Sequence, residues 1–386
     1  MSFTWPTYKV KKGDTLESVA KELGISKEAL KWHHNTYCLH DDLLEKDITH
    51  QKKLIIFDKH ANEQKTFHTT RVKKQVPFSY NNSLFYIPTK SFSKYGVIIT
   101  IEDGEDKNEI KYEKSVKWIQ KFEDCHIFEI NDISKPFINE EEVNSIVHTL
   151  AYETSKVLYP MHLMVDEKGN WEQVAKCNTY PRRWNIIKKE IFKEFQGKMV
   201  EEYLQEFENL LENQNKINSY MFQDYFLRTL FLGYCFEYQE KFKTEREISF
   251  PIIENANEPI YKIEADIVPY LDEYNLVNIN FKGVLNDPRS KIDFINENHY
   301  PFEENRDTEK ATGNFFLKAF LDPNSSIPES IYLECSISLE KTKKISVVIS
   351  DISGKEKPYI HNHSNLLLDS ETTNNKKKGF WKSLFE

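Results

Sequence analysis

Tyr8-Lys9-Val10-Lys11-Lys12-Gly13-Asp14-Thr15-Leu16 decides how the first part of this chain folds. Tyr8, Lys9 and Val10 alternate in character, as a short strand does, and Gly13-Asp14 then turns the backbone. Asp14 is placed to cap a helix, with Glu17 three residues on to answer it. Leu16, Val19, Ala20 and Leu23 recur at helical spacing and give that helix one apolar face. Gly24 ends it, in the position where a left-handed residue is needed. Ser26 caps a second helix with Ala29, Leu30 and His33 inward, and Asn35 ends that one. Leu54-Ile55-Ile56-Phe57 then reads as a second strand. A two-stranded sheet is too small to be stable alone, so both helices must pack against it.

The opening stretch, with Val19-Ala20, Leu23-Gly24-Ile25-Ser26, Leu30 and Asn35, resembles a LysM (lysin motif) domain. The resemblance covers about an eighth of the chain. It implies a βααβ fold. It also implies binding of N-acetylglucosamine polymers, peptidoglycan or chitin, in a shallow groove between the first strand–helix loop and the loop before the last strand. Carried over by position, Gly13, Asp14, Thr15 and Leu16 form the first loop, and Asn35 and Ile48 mark the second. Here the chain departs from the family. The run from Thr36 to Asp47 is longer than usual, and Ile48-Thr49-His50-Gln51 stands where Ile-x-x-Gly-Gln is expected. The usual closing Pro is replaced by Phe57-Asp58. These departures fall on the sugar-binding side. LysM-like modules also serve as protein-contact parts of secretion and tail-like machinery, so both uses stay open.

The chain has 386 residues and a net charge of −9, with aromatic residues at 13%. Large rings can build a core that aliphatic counts undersell. An acidic chain without a long basic block is a poor footprint for nucleic acid. The 11 glycines are too scattered for a dinucleotide fingerprint, a P-loop or a Gly-x-Ser-x-Gly elbow. Cys38, Cys125, Cys177, Cys235 and Cys335 are odd in number and far apart, which argues for free thiols in a reducing compartment. The N-terminus lacks the pattern of a secretory signal, and no apolar run is long enough to span a bilayer. The expectation is cytoplasmic synthesis, with delivery by or attachment to a specialised secretion machine.

Beyond the first module the expected class is α+β, a larger mixed domain with an antiparallel sheet and a pair of long helices. The expected boundaries are 1–58 for the LysM-like domain, 59–76 for a linker, 77–353 for the α+β domain and 354–386 for a polar tail. Leu84–Ile87, Val97–Ile101, Cys125–Ile130, Met161–Val165, Trp171–Ala175, Ile248–Phe250, Ile260–Ile267, Leu276–Val284, Ile331–Leu339 and Ile345–Ile349 read as strands. Val116, Ile119 and Gln120 suggest a short helix. Val143 to Leu158 suggests an amphipathic one, behind Glu140, Glu141 and Glu142. The long pair runs from Pro181 to Leu211 and from Ile217 to Phe236. Asn286 to Thr312 reads as an exposed, irregular loop. At the end, Lys376, Lys377, Phe380, Trp381, Leu384 and Phe385 form a basic, aromatic segment suited to docking.

Catalytic patterns are sparse. Cys125-His126 are adjacent in sequence, which is not the spatial adjacency that activates a thiol. There is no His-Glu-x-x-His, and Ser18-Val19-Ala20-Lys21 lies inside the first helix. His33, His34, Cys38, His40 and His50 match no zinc spacing and read as exposed loop residues, so no metal and no cofactor is expected. The leading expectation is a non-catalytic LysM-bearing adaptor in an envelope-crossing contractile assembly, of the type VI secretion or phage-tail-like kind, with protein partners. The alternatives are a peptidoglycan-binding protein and a cell-wall hydrolase with its site in the large domain.

Overall fold

A computed structural model describes residues 7–38, 44, 46–48, 51–56, 74–142, 145–239, 241–254, 256–305 and 308–353. They fall into two compact units, one within residues 1–72 and one spanning Lys73–Ser353. Phe57, residues 59–73 of the expected linker, Val143 and the whole C-terminal segment lie outside the described residues.

In the first unit β1 (Thr7–Lys9) leads to α1 (Leu16–Glu22), α2 (Lys27–Tyr37) and β2 (Lys53–Ile55). The strands are antiparallel, with Tyr8 opposite Leu54, and the Val10 N–H continues the ladder to the Lys52 carbonyl. The cap of α1 is Thr15, one residue later than expected. Its Oγ1 accepts from the Ser18 N–H, and the Ser18 hydroxyl accepts from the Thr15 N–H. Asp14 is drawn away because its carboxylate accepts the Lys11 N–H at 2.7 Å. At the other end Gly24 sits at φ +65°. The Gly24 N–H bonds to the Lys21 carbonyl and the Ile25 N–H to the Ala20 carbonyl, so two orphan carbonyls are satisfied. Ser26 caps α2 as expected, through the Ala29 N–H. Asn35 does not end α2; it lies inside the helix. The core is Leu16, Val19, Ala20, Leu30, Leu44, Leu54 and Ile56.

The second unit begins before the expected boundary. Val76 is buried in its core, and the Lys74 carbonyl accepts the Leu271 N–H. It contains β3 (Phe92–Asp103), β4 (Asp106–Phe122), β5 (Cys125–Asp132), a small β6–β7 hairpin (Phe137–Ile138 and Glu141–Glu142), α3 (Ile146–Ser155), β8 (Met161–Asp166) and β9 (Trp171–Ala175). A helical block follows: α4 (Tyr180–Glu194), α5 (Lys198–Leu211), α6 (Gln214–Met221) and α7 (Tyr225–Leu230). Then come β10 (Lys243–Ser249), β11 (Ile260–Ile267), β12 (Val277–Leu285), α8 (Lys291–Ile295), β13 (Thr312–Leu321), β14 (Pro328–Ser338) and β15 (Thr342–Asp351). Two antiparallel meanders join into one 13-stranded sheet because the last strand, β15, pairs with the first, β3. Ala265, Phe281, Leu317, Leu333, Val347 and Ile99 stand opposite one another in register and form an unbroken buried row across the strands. One residue along, Asp266, Asn280, Lys318, Tyr332, Val348 and Ile98 line the other face. The period of two thus assigns one face to the core, and α7 packs over β14 and β15.

Several local expectations are corrected. The pair of long helices is four shorter ones. Gly197 at φ +118° precedes α5, Asn213 caps α6, and Asp224 caps α7 through the Leu227 N–H. Each interrupts a periodicity that otherwise reads as continuous. Val116, Ile119 and Gln120 lie in β4, where a bulge between Trp118 and Gln120 adds a residue and mimics helical spacing. The helix expected from Val143 starts at Ile146, capped by Ser145, and its Ile146 and Val147 face solvent. Glu141 and Glu142 form β7 instead, after Asn139 and Glu140 turn the chain at positive φ. Leu84–Ile87 is not a strand. Residues 286–312 hold α8 and the first residue of β13, a strand the sequence reading missed. They are not a loose loop. Arg289 and Asp287 form a buried two-bond pair, and Asp293 accepts hydrogen bonds from Ser290, Asn298, Phe302 and Asn305.

Candidate functional site

The site expected from sequence sits where β1 turns into α1 and the loop before β2 comes alongside. Gly13 takes φ +95°, with nothing within 4 Å of where a Cβ would stand, so its surface is open. Thr15 is exposed beside it. Leu16 is different: its side chain is fully buried and only its backbone faces the loops. Ile48 is half-buried and packs on the small core.

What joins the two loops is Asp47. Its Oδ1 accepts the Leu16 N–H at 2.6 Å and the Ile48 N–H at 2.7 Å. The first of these is an orphan donor at the start of α1, so the carboxylate satisfies the helix terminus and fixes the second loop in one step. The two N–H bonds hold the Asp47 carboxyl below its ordinary range. Asn35 acts further back. Its Nδ2 donates to the Leu44 carbonyl and its Oδ1 accepts the Leu44 N–H, a two-bond clamp from α2 onto the long loop. Gln51 is buried just before β2.

Of the six sequence-predicted residues, Gly13 and Thr15 are thus exposed on the first loop, and Asp14 closes the turn through Lys11. Leu16 and Ile48 meet through Asp47, and Asn35 supports the second loop. Asp47 itself was missed. The available signal was an acidic residue directly before the Ile that aligns with the family's second loop. The histidine cluster is not a set of exposed loop residues. His33 and His34 lie in α2 and are buried, and His34 Nδ1 accepts the Ile55 N–H at 3.0 Å. His40 and His50 lie outside the described residues, as do Lys376, Lys377, Phe380, Trp381, Leu384 and Phe385. Among the described residues, no three His, Cys, Asp or Glu side chains converge in a way that could hold a metal ion.

Residues 8–31 match the family model of the LysM domain. The match ends inside α2, before Asn35, Asp47 and Ile48, so the second loop lies outside the matched residues. A LysM domain is a binding module, and it points to carbohydrate, peptidoglycan in particular. Comparison with curated proteins finds no match. Among solved structures the chain is similar to one titled "Lipid-protein interactions in lipovitellin", at 9% identity and a TM-score of 0.35. The alignment covers 67% of this chain and 25% of that one, so the chain spans about a quarter of that structure's length. Among the described residues no helix is long and apolar enough to cross a membrane.

In the large unit a second cluster of buried charge surrounds Lys114. Its ammonium donates to Asp132 and to the Tyr159 hydroxyl at 2.6 Å, and lies 4.2 Å from the Tyr159 ring centre. Burial opposes its charge, but Asp132, Tyr112 and Asp224 together outweigh that and push its pKa up. A lysine held protonated in this way is a clasp between strands and helical layer, not a nucleophile. Cys125 is no better placed. Burial and nearby carboxylates raise its pKa, and the ring of His126 is taken by the Trp118 indole N–H at 3.1 Å.

Proposed function

We propose that this protein binds N-acetylglucosamine polymers, peptidoglycan foremost, through the loops at Gly13–Thr15 and Asp47–Ile48, with the large sheet domain as a non-catalytic platform. The observation that carries this reading is the Asp47 bridge, which brings the two loops of a LysM domain together although the second loop departs from the family pattern. A groove set in advance loses less entropy when a flexible glycan binds. The test is retention of the full chain on purified peptidoglycan sacculi, with release by soluble N-acetylglucosamine oligomers. Absence of retention at low ionic strength, or retention that the oligomers do not release, overturns it.

A second reading takes the same loops as a protein contact, in an adaptor of an envelope-crossing contractile assembly. One observation favours it: Asp47 occupies the Leu16 and Ile48 N–H groups, which are then not offered to a sugar. Under this reading the chain is retained by assembled sheath, tube or spike proteins and passes through sacculi unretained.

A further inference from the structure

Helices α5 and α6 flank a shallow, widely open surface groove of about 540 Å³ within the large unit. Its walls carry Asn209, Asn215, Ser219 and Gln223, with Tyr220 presenting a half-exposed ring. Among the described residues, the Asn215, Ser219 and Gln223 side chains and the Tyr220 hydroxyl make no hydrogen bond within the chain. The neighbouring amides do structural work instead. Asn213 caps α6, Asn218 accepts the Val174 N–H and Gln214 donates to the Val174 carbonyl, which ties α6 to the free edge of β9. Ile217 and Met221, on the other side of α6, are buried. The groove wall formed by α6 is therefore anchored.

The chemistry of the lining selects a class of ligand. Glu206 and Lys216 carry opposite charges and leave the groove with no net sign, which disfavours anionic polymers. Amides both donate and accept, as sugar hydroxyls do. A tyrosine ring offers a flat apolar surface beside them, matching the C–H face of a pyranose. We propose that the α5–α6 groove is a second saccharide-binding site, with a sugar ring stacked on Tyr220 and its hydroxyls held by Asn215 and Gln223. The choice of N-acetylglucosamine polymer as its ligand rests on the glycan reading of the LysM groove; the saccharide chemistry rests on the groove itself.

The test is calorimetric titration of the full chain with N-acetylglucosamine hexamer, for wild type, Tyr220→Ala, Tyr220→Phe and the double variant Asn215→Ala/Gln223→Ala. These positions are exposed, and unchanged circular dichroism confirms the fold. The expected result is two binding events. Tyr220→Ala and the double variant each weaken one at least tenfold and spare the other, and Tyr220→Phe keeps both. A single event that none of the variants alters overturns the second site and leaves the LysM reading standing. A single event that Tyr220→Ala abolishes supports the groove and removes the LysM reading. No binding by wild type overturns the saccharide assignment.

Discussion

In the LysM unit one half-buried carboxylate, Asp47, ties two loops together through the Leu16 N–H and braces its own loop through the Ile48 N–H. In the large unit the buried Asp293 gathers donors from Ser290, Asn298, Phe302 and Asn305 and holds a whole inter-strand segment. Both carboxyls are held below their ordinary range. The difference lies in what surrounds them. Water can replace part of what Asp47 supplies, whereas Asp293 is buried and its Ser290 donors are buried with it. The same bonding device therefore joins two surface loops in one unit and supports architecture in the other.

Asp293→Ala should produce the largest change. It strands the buried Ser290 donors and three part-buried ones and removes the capping box of α8, so a loss of about 2–4 kcal/mol is expected. Denaturant unfolding of the full chain, followed by tryptophan fluorescence, measures it. A loss below about 1 kcal/mol would mean that the segment is held by its apolar contacts and that the contrast with Asp47 is empty.

Asp47→Ala should cost less, about 1–3 kcal/mol, because two partly accessible N–H groups lose their acceptor. The effect should be confined to the LysM unit. Hydrogen exchange should speed up at the Leu16 and Ile48 amides and stay unchanged across residues 74–353. Asp47→Asn retains an acceptor oxygen and should recover part of the loss. If the alanine variant leaves both amides protected, the loops are joined by something other than this bridge.

The same contrast explains what the sequence could reveal. In the LysM unit the decisive bonds are short-range: Thr15 with Ser18, Gly24 with Lys21, Ser26 with Ala29. Local spacing therefore announced the turn, the helices and the stop at Gly24. Asp47 escaped because its partner Leu16 lies across a loop of irregular length. In the large unit the strands with strict alternation, such as Ile331 to Ile337, were legible. The pairing of β15 with β3 was not, since nothing in either strand names a partner so distant in sequence. The helices failed for another reason. Gly197, Asn213 and Asp224 end or begin helices within an apolar pattern that continues through them. The α5–α6 groove has no motif at all, because it is made by the break at Asn213 that brings two helices side by side.

Gly24→Ala sharpens the comparison on the backbone side. No atom lies within 4 Å of the added Cβ, so the cost comes from the left-handed conformation alone, about 1 kcal/mol. It should appear in the exchange of α1 and leave the large unit untouched. A larger cost would show that the turn into Ser26 positions α2 as well as ending α1.

Acidification should give the smallest and most discriminating effect. Asp47 has a folded pKa below its unfolded one. Its contribution is therefore complete above the ordinary carboxylate range, near about 4, and is lost as pH falls through the lower folded value. Asp224 and Asp272 run the other way. Burial raises both, so protonating them favours the folded large unit as pH falls through their raised values. Between neutrality and about pH 4 the large unit should hold or gain slightly while the contribution of Asp47 to the LysM unit does not change. Below that, the LysM unit should loosen as Asp47 protonates. Exchange measured separately over residues 7–56 and 74–353 between pH 7 and pH 3, corrected for intrinsic rates, follows both. Loss of protection in the LysM unit already at pH 5 would place its acid sensitivity in a group other than Asp47. Asp47→Ala would then keep the same pH profile, whereas the bridge predicts that its low-pH limb disappears.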